Sequence, residues 1–490
     1  MTQSAARVVP GRTTTVARQI VHEIWTHLGL PSESLTSLEL PGSGLGLPSS
    51  FQVGAFAQAT IALSALAAAT CHAQAQGIRV PRVSVPLRHA SAEFKSERLY
   101  VLDGKTNEDP WGPIGGLHQT ADGYVRIHDG FPHHRDNALK LLGLETTATR
   151  EDVAQAAKAW RALDLEEAAA QSNAIVAALR SYSDWDVLEQ AQQLPDLPIT
   201  VQKVSSTPFP RPVQRKASSR GCLEGLRVLD LSRVIAAPIA GKTLAVHGAD
   251  VLWVTSPNLP ALPDIDCDVQ RGKRTIQLDL KKAEDKAKLM LLLKEADVFL
   301  QGYRPGSLAN LGLSATVLHE INPHLIVANL SAFGTRGPWS HRRGFDSIVQ
   351  TCSGMNVSEA EHFGEGSPAR PMPCQALDHG TGYLLATGIM AALYRRAKEG
   401  GAYVVDASLA GTMKYLRDLG QYEGNSGFDC EDIKTNRDVT EFLETRDTEL
   451  GKLVAVKHSA SIEGLDVGWR IMPKPLGSDD PKWLQAEESY

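Results

Sequence analysis

The chain lacks the usual means of holding a metal or closing a disulfide. Its six cysteines, Cys71, Cys222, Cys267, Cys352, Cys374 and Cys430, form no Cys-x-x-Cys and no close pair. His133 and His134 have no cysteine near them in sequence, and Cys71-His72 stands alone. No metal site is expected, and unpaired thiols in a reducing compartment fit this usage. No Gly-x-Gly-x-x-Gly fingerprint occupies the first strand-to-helix turn, so neither a nicotinamide nor a flavin cofactor is supported. The formal charge of -6 argues against a polyanion-binding surface over the whole molecule, and so against a nucleic-acid partner. No uninterrupted apolar run reaches membrane-spanning length. The nearest, Ala55 to Ala69, is Ala-rich, broken by Gln58, and reads as a packed helix, with no membrane partner. Arg7, Arg12 and Arg18, with no acid among the first 22 residues, faintly resemble an organelle-targeting segment. Pro10 and Gly11 interrupt it, so a cytoplasmic location leads, with a mitochondrion or another organelle as the alternative.

At 490 residues the chain exceeds one growing core, and two or three domains are expected. Val16 to Leu28 is apolar at helical spacing and stops at Gly29-Leu30-Pro31. Trp111 to Gly116 is a loop, and His118 to Ile127 reads as a hairpin because Asp122-Gly123 supplies the turn. Arg135 to Leu142 and Arg150 to Leu188 are largely helical, which makes a small α+β domain over 111–199. Ser205, Ser206, Pro208, Pro210, Pro212 and Lys216 mark 200–221 as a linker with little to bury. Beyond it, short apolar strands alternate with helices: Leu226 to Leu231, Val251 to Thr255, Thr275 to Leu280, Ala296 to Leu300 and Leu325 to Leu330. That alternation predicts an α/β fold with a βαβ parallel sheet over 222–425. The remaining segment, 426–490, is expected to pack back on it.

Two passages resemble each other. Gln375-Ala376-Leu377-Asp378-His379-Gly380-Thr381-Gly382 leads into an apolar helix and the strand Tyr403 to Val405. Ser50-Phe51-Gln52-Val53-Gly54 leads into Ala55 to Ala69 and the strand Val83 to Val85. Aligning Gly380 with Gly54 sets Asp378 against Gln52, so 1–110 reads as a degenerate partial copy that keeps an amide where the other keeps a carboxylate.

The second half resembles the family III CoA-transferases, the formyl-CoA or carnitine–CoA transferase (CaiB/BaiF-like) family. The resemblance is carried, in order, by Leu226 to Val234, Pro238 to Gly248, Arg271 to Lys281 and Ala296 to Val298. It continues through Tyr303 to Leu308, Gly344-Phe345-Asp346, the Asp378 passage and Val405 to Leu409. The first half resembles a later portion of the same family, giving a rearranged or partly duplicated layout. The resemblance implies a Rossmann-like parallel-sheet large domain with a small α+β domain, and coenzyme A or acyl-CoA as substrate beside a small carboxylic acid. It also implies a homodimer, interlocked as in the family, with a fused pseudo-dimer as the other arrangement.

The resemblance assigns the nucleophile's role to Asp378. Its place at a helix N-terminus suggests that it stays ionised, with Gly380 and Gly382 supplying N–H donors for the developing oxyanion. For CoA it puts Arg233, Val234 and Ala236 after the first strand, and Tyr303, Arg304 and Ser307 after a later one. Lys273 and Arg274 are further cationic candidates, and Phe333 lines the acyl side. Two departures stand out. Ser256-Pro257-Asn258 occupies a loop where relatives place a basic residue, so CoA binding is altered or the first half supplies the cation. Phe345 replaces the histidine of related racemases and cannot shuttle a proton, which favours transfer over racemisation. A CoA-ester racemase, isomerase or hydrolase, and a non-catalytic CoA-ester-binding protein, are the alternatives.

Overall fold

The computed structural model describes residues 16–106, 112–208 and 221–484. Arg7, Arg12, Trp111, Pro210, Pro212 and Lys216, on which the targeting, loop and linker readings partly rest, lie outside the described residues. Five helices frame the site: α1 (Val53–Gln76), α2 (Pro132–Leu141), α3 (Ala236–Val246), α4 (Asp346–Cys352) and α5 (Ala376–Glu399). Seven strands build the main sheet: β1 (Ile199–Lys203), β2 (Arg227–Leu231), β3 (Asp250–Thr255), β4 (Arg274–Gln277), β5 (Val298–Gln301), β6 (Ile326–Ser331) and β7 (Tyr403–Ser408).

These strands form because consecutive apolar residues can be covered on both faces. Val228, Leu229, Val251, Leu252, Val298 and Phe299 are all buried. Across the sheet the order is β4-β3-β2-β5-β6-β7-β1. The first six run parallel, with Leu229 beside both Leu252 and Phe299. The last, β1, pairs antiparallel with β7, placing Val201 opposite Val405. The fold is therefore α/β with a mixed sheet, and a strand occupies the first residues of the expected linker. Strand order reverses direction between β2 and β5, and ligands of open α/β sheets sit in the crevice outside the strand ends at such a point. The loops carrying Arg233 and Arg304 leave the sheet there.

Helices α1 and α5 are each 24 residues long. Both are preceded by a glutamine with similar backbone angles, Gln52 at φ −79°, ψ 48° and Gln375 at φ −77°, ψ 63°, and both end on a glycine. They pack against each other along their lengths: Cys71 Sγ donates to the Met390 carbonyl at 3.3 Å and Gln74 Nε2 to that of Tyr394 at 3.2 Å. Matching the helices end to end sets Gln52 against Gln375 and Ala55 against Asp378. The alignment of Gln52 with Asp378 is therefore corrected by three residues. The strand after α1, Val83–Ser84, joins a separate sheet with Leu38–Glu39 and Ser461–Ile462, so it is not a counterpart of β7. By length and composition α1 could cross a membrane, but 94% of its apolar window is buried within the protein.

The small unit holds the expected hairpin, Gly116–Gln119 against Tyr124–Ile127, with Gln119 opposite Tyr124. A third strand, Val176–Ala178, pairs with Tyr124–Ile127 and interrupts the stretch expected to be helical. Its alanines favour a helix in isolation, and pairing to the hairpin overrides that preference. Distant parts of the chain also meet: the hairpin Leu443–Thr448 and Gly451–Val456 extends onto Val101–Leu102.

Candidate active site and its cationic rim

Asp378 is the third residue of α5 and is 6% exposed. The donors at this helix start are occupied by another carboxylate. Asp346, first residue of α4, accepts the N–H of Leu377 at 2.9 Å and of Asp378 at 3.0 Å, together with the side-chain amide of Gln350. Gln350 is fixed in turn, its carbonyl accepting from Asn356 at 2.9 Å and from the Met372 N–H at 3.1 Å. Among the described residues the Asp378 carboxyl has no hydrogen-bond partner. Burial raises its pKa well above the carboxylate range, and the charges of Asp346 and Glu97 raise it further. Burial also pushes Asp346 up, to about 6, but the N–H groups it accepts oppose that. The pair's charge belongs on Asp346 and its proton on Asp378. The helix terminus does not keep Asp378 ionised, contrary to the expectation from its position.

The first half supplies the surroundings. Glu97, in the short helix Ser96–Leu99, pairs with His379 Nε2 at 2.9 Å, and Phe94 stacks on the same imidazole with ring centroids 5.3 Å apart. Gly380 and Gly382 are crossing points and not oxyanion donors. Their amides lie inside the helical ladder of α5. A Cβ on Gly380 would enter the Phe56 ring of α1, and one on Gly382 would lie 2.5 Å from the Ala236 carbonyl oxygen and 2.7 Å from Ile239 of α3.

At the switch point, Arg233 follows β2, donates to the Pro260 carbonyl, and lies 4.6 Å over the Phe131 ring. Val234 is held at φ 71°, a conformation costly for a β-branched residue. Ala236 starts α3 and is buried. A cleft of about 40 Å³ is lined here by Phe131, Arg233, Val234, Ser256, Pro260 and Asp266. Burial raises the Tyr303 phenol, and the positive Arg233 nearby opposes the rise. Arg304 is exposed and donates to the His341 carbonyl at 3.1 Å; the Ser307 N–H closes a turn on the Arg304 carbonyl at 3.0 Å. Phe333 packs edge-on to Trp339 at 5.3 Å. Both line a larger cleft of about 230 Å³ with Arg304, His341 and Arg343, against a wall from the small unit that includes Glu166 and Asn173. Asp378 lines neither of these two clefts.

Two candidates do other work. Lys273 is fully buried, 2.8 Å from Asp230 and 2.7 Å from the Pro238 carbonyl. Arg274 grips both oxygens of Asp250, at 3.0 and 2.9 Å, and donates to the Lys482 carbonyl at 2.8 Å. Neither is free to meet a ligand. Sequence reasoning gave no role to Asp346, Glu97, His133 or Arg343. Asp346 stood in a quoted motif, whereas Glu97 lies 282 positions from its partner His379, with no local pattern to announce it.

The α/β sheet thus carries a buried carboxylate pair and, at its switch point, a cationic rim, and its sequence is similar to that of known proteins. Residues 223–427 match the model of CoA-transferase family III. An acyl-CoA transferase of Fusarium pseudograminearum (strain CS3096) is 33% identical over 240 residues, covering 45% of this chain and 52% of that protein. The acetyl-coenzyme A transferase nodX of Hypoxylon pulicicidum is 26% identical over 399 residues, covering 72% of this chain and 67% of the relative. A probable fatty acyl-CoA transferase of Mycobacterium tuberculosis (strain ATCC 25618 / H37Rv) is 35% identical over 200 residues, covering 38% and 50%. The chain spans about half the length of the first and third of these relatives. The likeness to family III CoA-transferases is thus concentrated in residues 223–427.

Proposed function

We propose that the protein moves CoA from an acyl-CoA to a carboxylic acid, with Asp378 as the covalent nucleophile. The observation carrying this reading is the Asp378 carboxyl, buried at the start of α5 with no hydrogen-bond partner among the described residues, inside the segment that matches the family model. A largely buried carboxylate with few donors around it is a strong nucleophile once deprotonated. Its attack on the thioester carbonyl forms a mixed anhydride and expels the CoA thiolate. The thiolate attacks the Asp378 carbonyl, forming an aspartyl-CoA thioester and releasing the first acid. The incoming carboxylate attacks that thioester to give a second anhydride and free thiolate. Thiolate attack on the acyl carbonyl of this anhydride yields the new acyl-CoA and restores the Asp378 carboxylate.

The cofactor runs, in this reading, along Arg233, Val234, Tyr303, Arg304 and Ser307, since polyphosphates favour paired guanidinium donors. The chain acts as a homodimer in this proposal, and the packing of α1 on α5 within one chain supports a pseudo-dimeric monomer as the other form. An acyl-CoA panel with paired acids, assayed by chromatography of CoA esters, tests the activity. Turnover that needs an acid and vanishes in Asp378→Asn supports transfer. Free acid released without an acceptor identifies a hydrolase instead, and α-deuterium wash-in a racemase or isomerase.

One observation favours a second reading, a CoA-ester-binding protein without turnover: neither cleft described above is lined by Asp378. CoA binding with no product across the panel selects it.

A further inference from the structure

The rim at the strand ends gathers three arginines from three loops: Arg233 after β2, Arg304 after β5 and Arg343 after β6. The loop after β3, Ser256-Pro257-Asn258, brings no cation to the smaller cleft that Ser256 lines. Facing that rim, the N-cap and first turn of α2 carry an aromatic and two imidazoles. Phe131 lies beneath the Arg233 guanidinium, with the His133 ring 5.7 Å and the His134 ring 5.5 Å from it. The two imidazoles are 4.0 Å apart. His134 is buried, edge-on to Phe345 at 6.0 Å, and among the described residues its Nδ1 has no hydrogen-bond partner. His133 is exposed, so its ring nitrogens are open to a ligand.

We propose that His133, presented by α2 of the small unit just outside the lining of the Arg233 cleft and beside its Phe131, binds phosphate at the mouth of that cleft and supplies a further cation there. The proposal rests on the CoA reading for the identity of the ligand, but its chemistry asks only for a polyphosphate.

The electrostatics make this contribution conditional on the ligand. Burial comes first, then the charges of Arg233 and Arg343, in holding His133 below the ordinary imidazole range. Asp136, one turn along the same helix, opposes that. The other groups on this face are His134, lowered to about 3 chiefly by burial, and Asp266 across the cleft, raised to about 6 by burial. Without ligand, therefore, His133 is neutral near pH 7. A polyphosphate neutralises Arg233 and Arg343, the two charges that suppress its protonation, and adds negative charge that favours it. Binding then draws a proton onto His133, which turns from a bystander into a charge-assisted donor. His134, with its low pKa, stays neutral and serves as the packed support of its neighbour.

Isothermal titration of the full chain with CoA, repeated in buffers of different ionisation enthalpy at pH near 7, reads this directly. The wild type should take up a sizeable fraction of a proton per CoA. His133→Gln, at an exposed position, should lose that uptake and weaken binding about tenfold, as for one charge-assisted hydrogen bond. His133→Lys, with a fixed charge, should restore affinity but not the uptake. Unchanged affinity and uptake in His133→Gln would overturn the proposal. Inorganic pyrophosphate, titrated in parallel, separates it from the CoA reading. If pyrophosphate binds and depends on His133 while CoA does not bind, the polyphosphate site stands and the CoA reading fails. If neither binds the wild type, the proposal is wrong.

Discussion

The carboxylate of Asp346 accepts the backbone N–H of Asp378 at 3.0 Å, so one acid takes the helix-start donors that the other would need to hold its charge. The two sit at the junction of α4 and α5, both buried. Asp346 thus anchors the turn that carries Asp378 and, through its charge, helps keep Asp378 protonated.

Asp346→Asn keeps an oxygen for the two N–H groups and removes the charge. Activity requires ionised Asp378, so it falls as pH drops through that residue's raised pKa. Removing the neighbouring negative charge lowers that pKa, and the acid limb of the kcat/KM profile should move to lower pH. If Asp346 serves only to hold the helix in place, the rate will fall and the limb will stay where it is.

Asp378→Asn should stabilise the fold. The folded-state pKa of Asp378 is raised, so the folded protein binds more protons than the unfolded chain above the ordinary carboxylate pKa. Its contribution to stability is therefore lost as pH rises. An amide pays no such penalty, and the gain in melting temperature should be larger at about pH 8 than at about pH 4. Differential scanning fluorimetry across that range checks the trend; equal shifts at both ends contradict it.

Lys273 and Arg304 should separate cleanly. Lys273→Met strands Asp230 in the core and should cost about 3 kcal/mol in urea unfolding. Arg304→Ala touches an exposed side chain and should leave stability within about 0.5 kcal/mol while weakening CoA binding about tenfold. Lys273 would regain its place as a CoA ligand if its replacement left stability unchanged and abolished binding.

How far the sequence reveals this arrangement depends on how local each signal is. The strand Arg227–Leu231 and the loop bearing Arg233 were legible because an apolar run, a polar break and a small-residue helix follow one another. The position of Asp378 at a helix start was legible for the same reason. Its neighbours were not, since Asp346 and Glu97 reach it through tertiary packing that no spacing records. Lys273-Arg274 reads as a pair of CoA-facing cations, because nothing in its local pattern reveals that Asp230 and Asp250 wait on β2 and β3. The glycines after Asp378 suggested backbone donors, and only the approach of α1 and α3 shows that they make room.

Gly380→Ala tests that last point. The added methyl meets Phe56 and should cost about 1–3 kcal/mol. Phe56→Leu in the same chain should recover part of the loss, measured by urea denaturation. No recovery would mean that the glycine is required for something other than space.

The central claim is that Asp378 becomes covalently linked during transfer, and oxygen exchange reads it directly. An acceptor acid labelled with oxygen-18 in its carboxyl group attacks the aspartyl-CoA thioester through a labelled oxygen, which stays on Asp378 when thiolate resolves the anhydride. After turnover with acyl-CoA and labelled acid, mass spectrometry of the peptide containing Asp378 should show label on that carboxyl, and none when acyl-CoA is left out. Product formation with no label in that peptide would contradict the account.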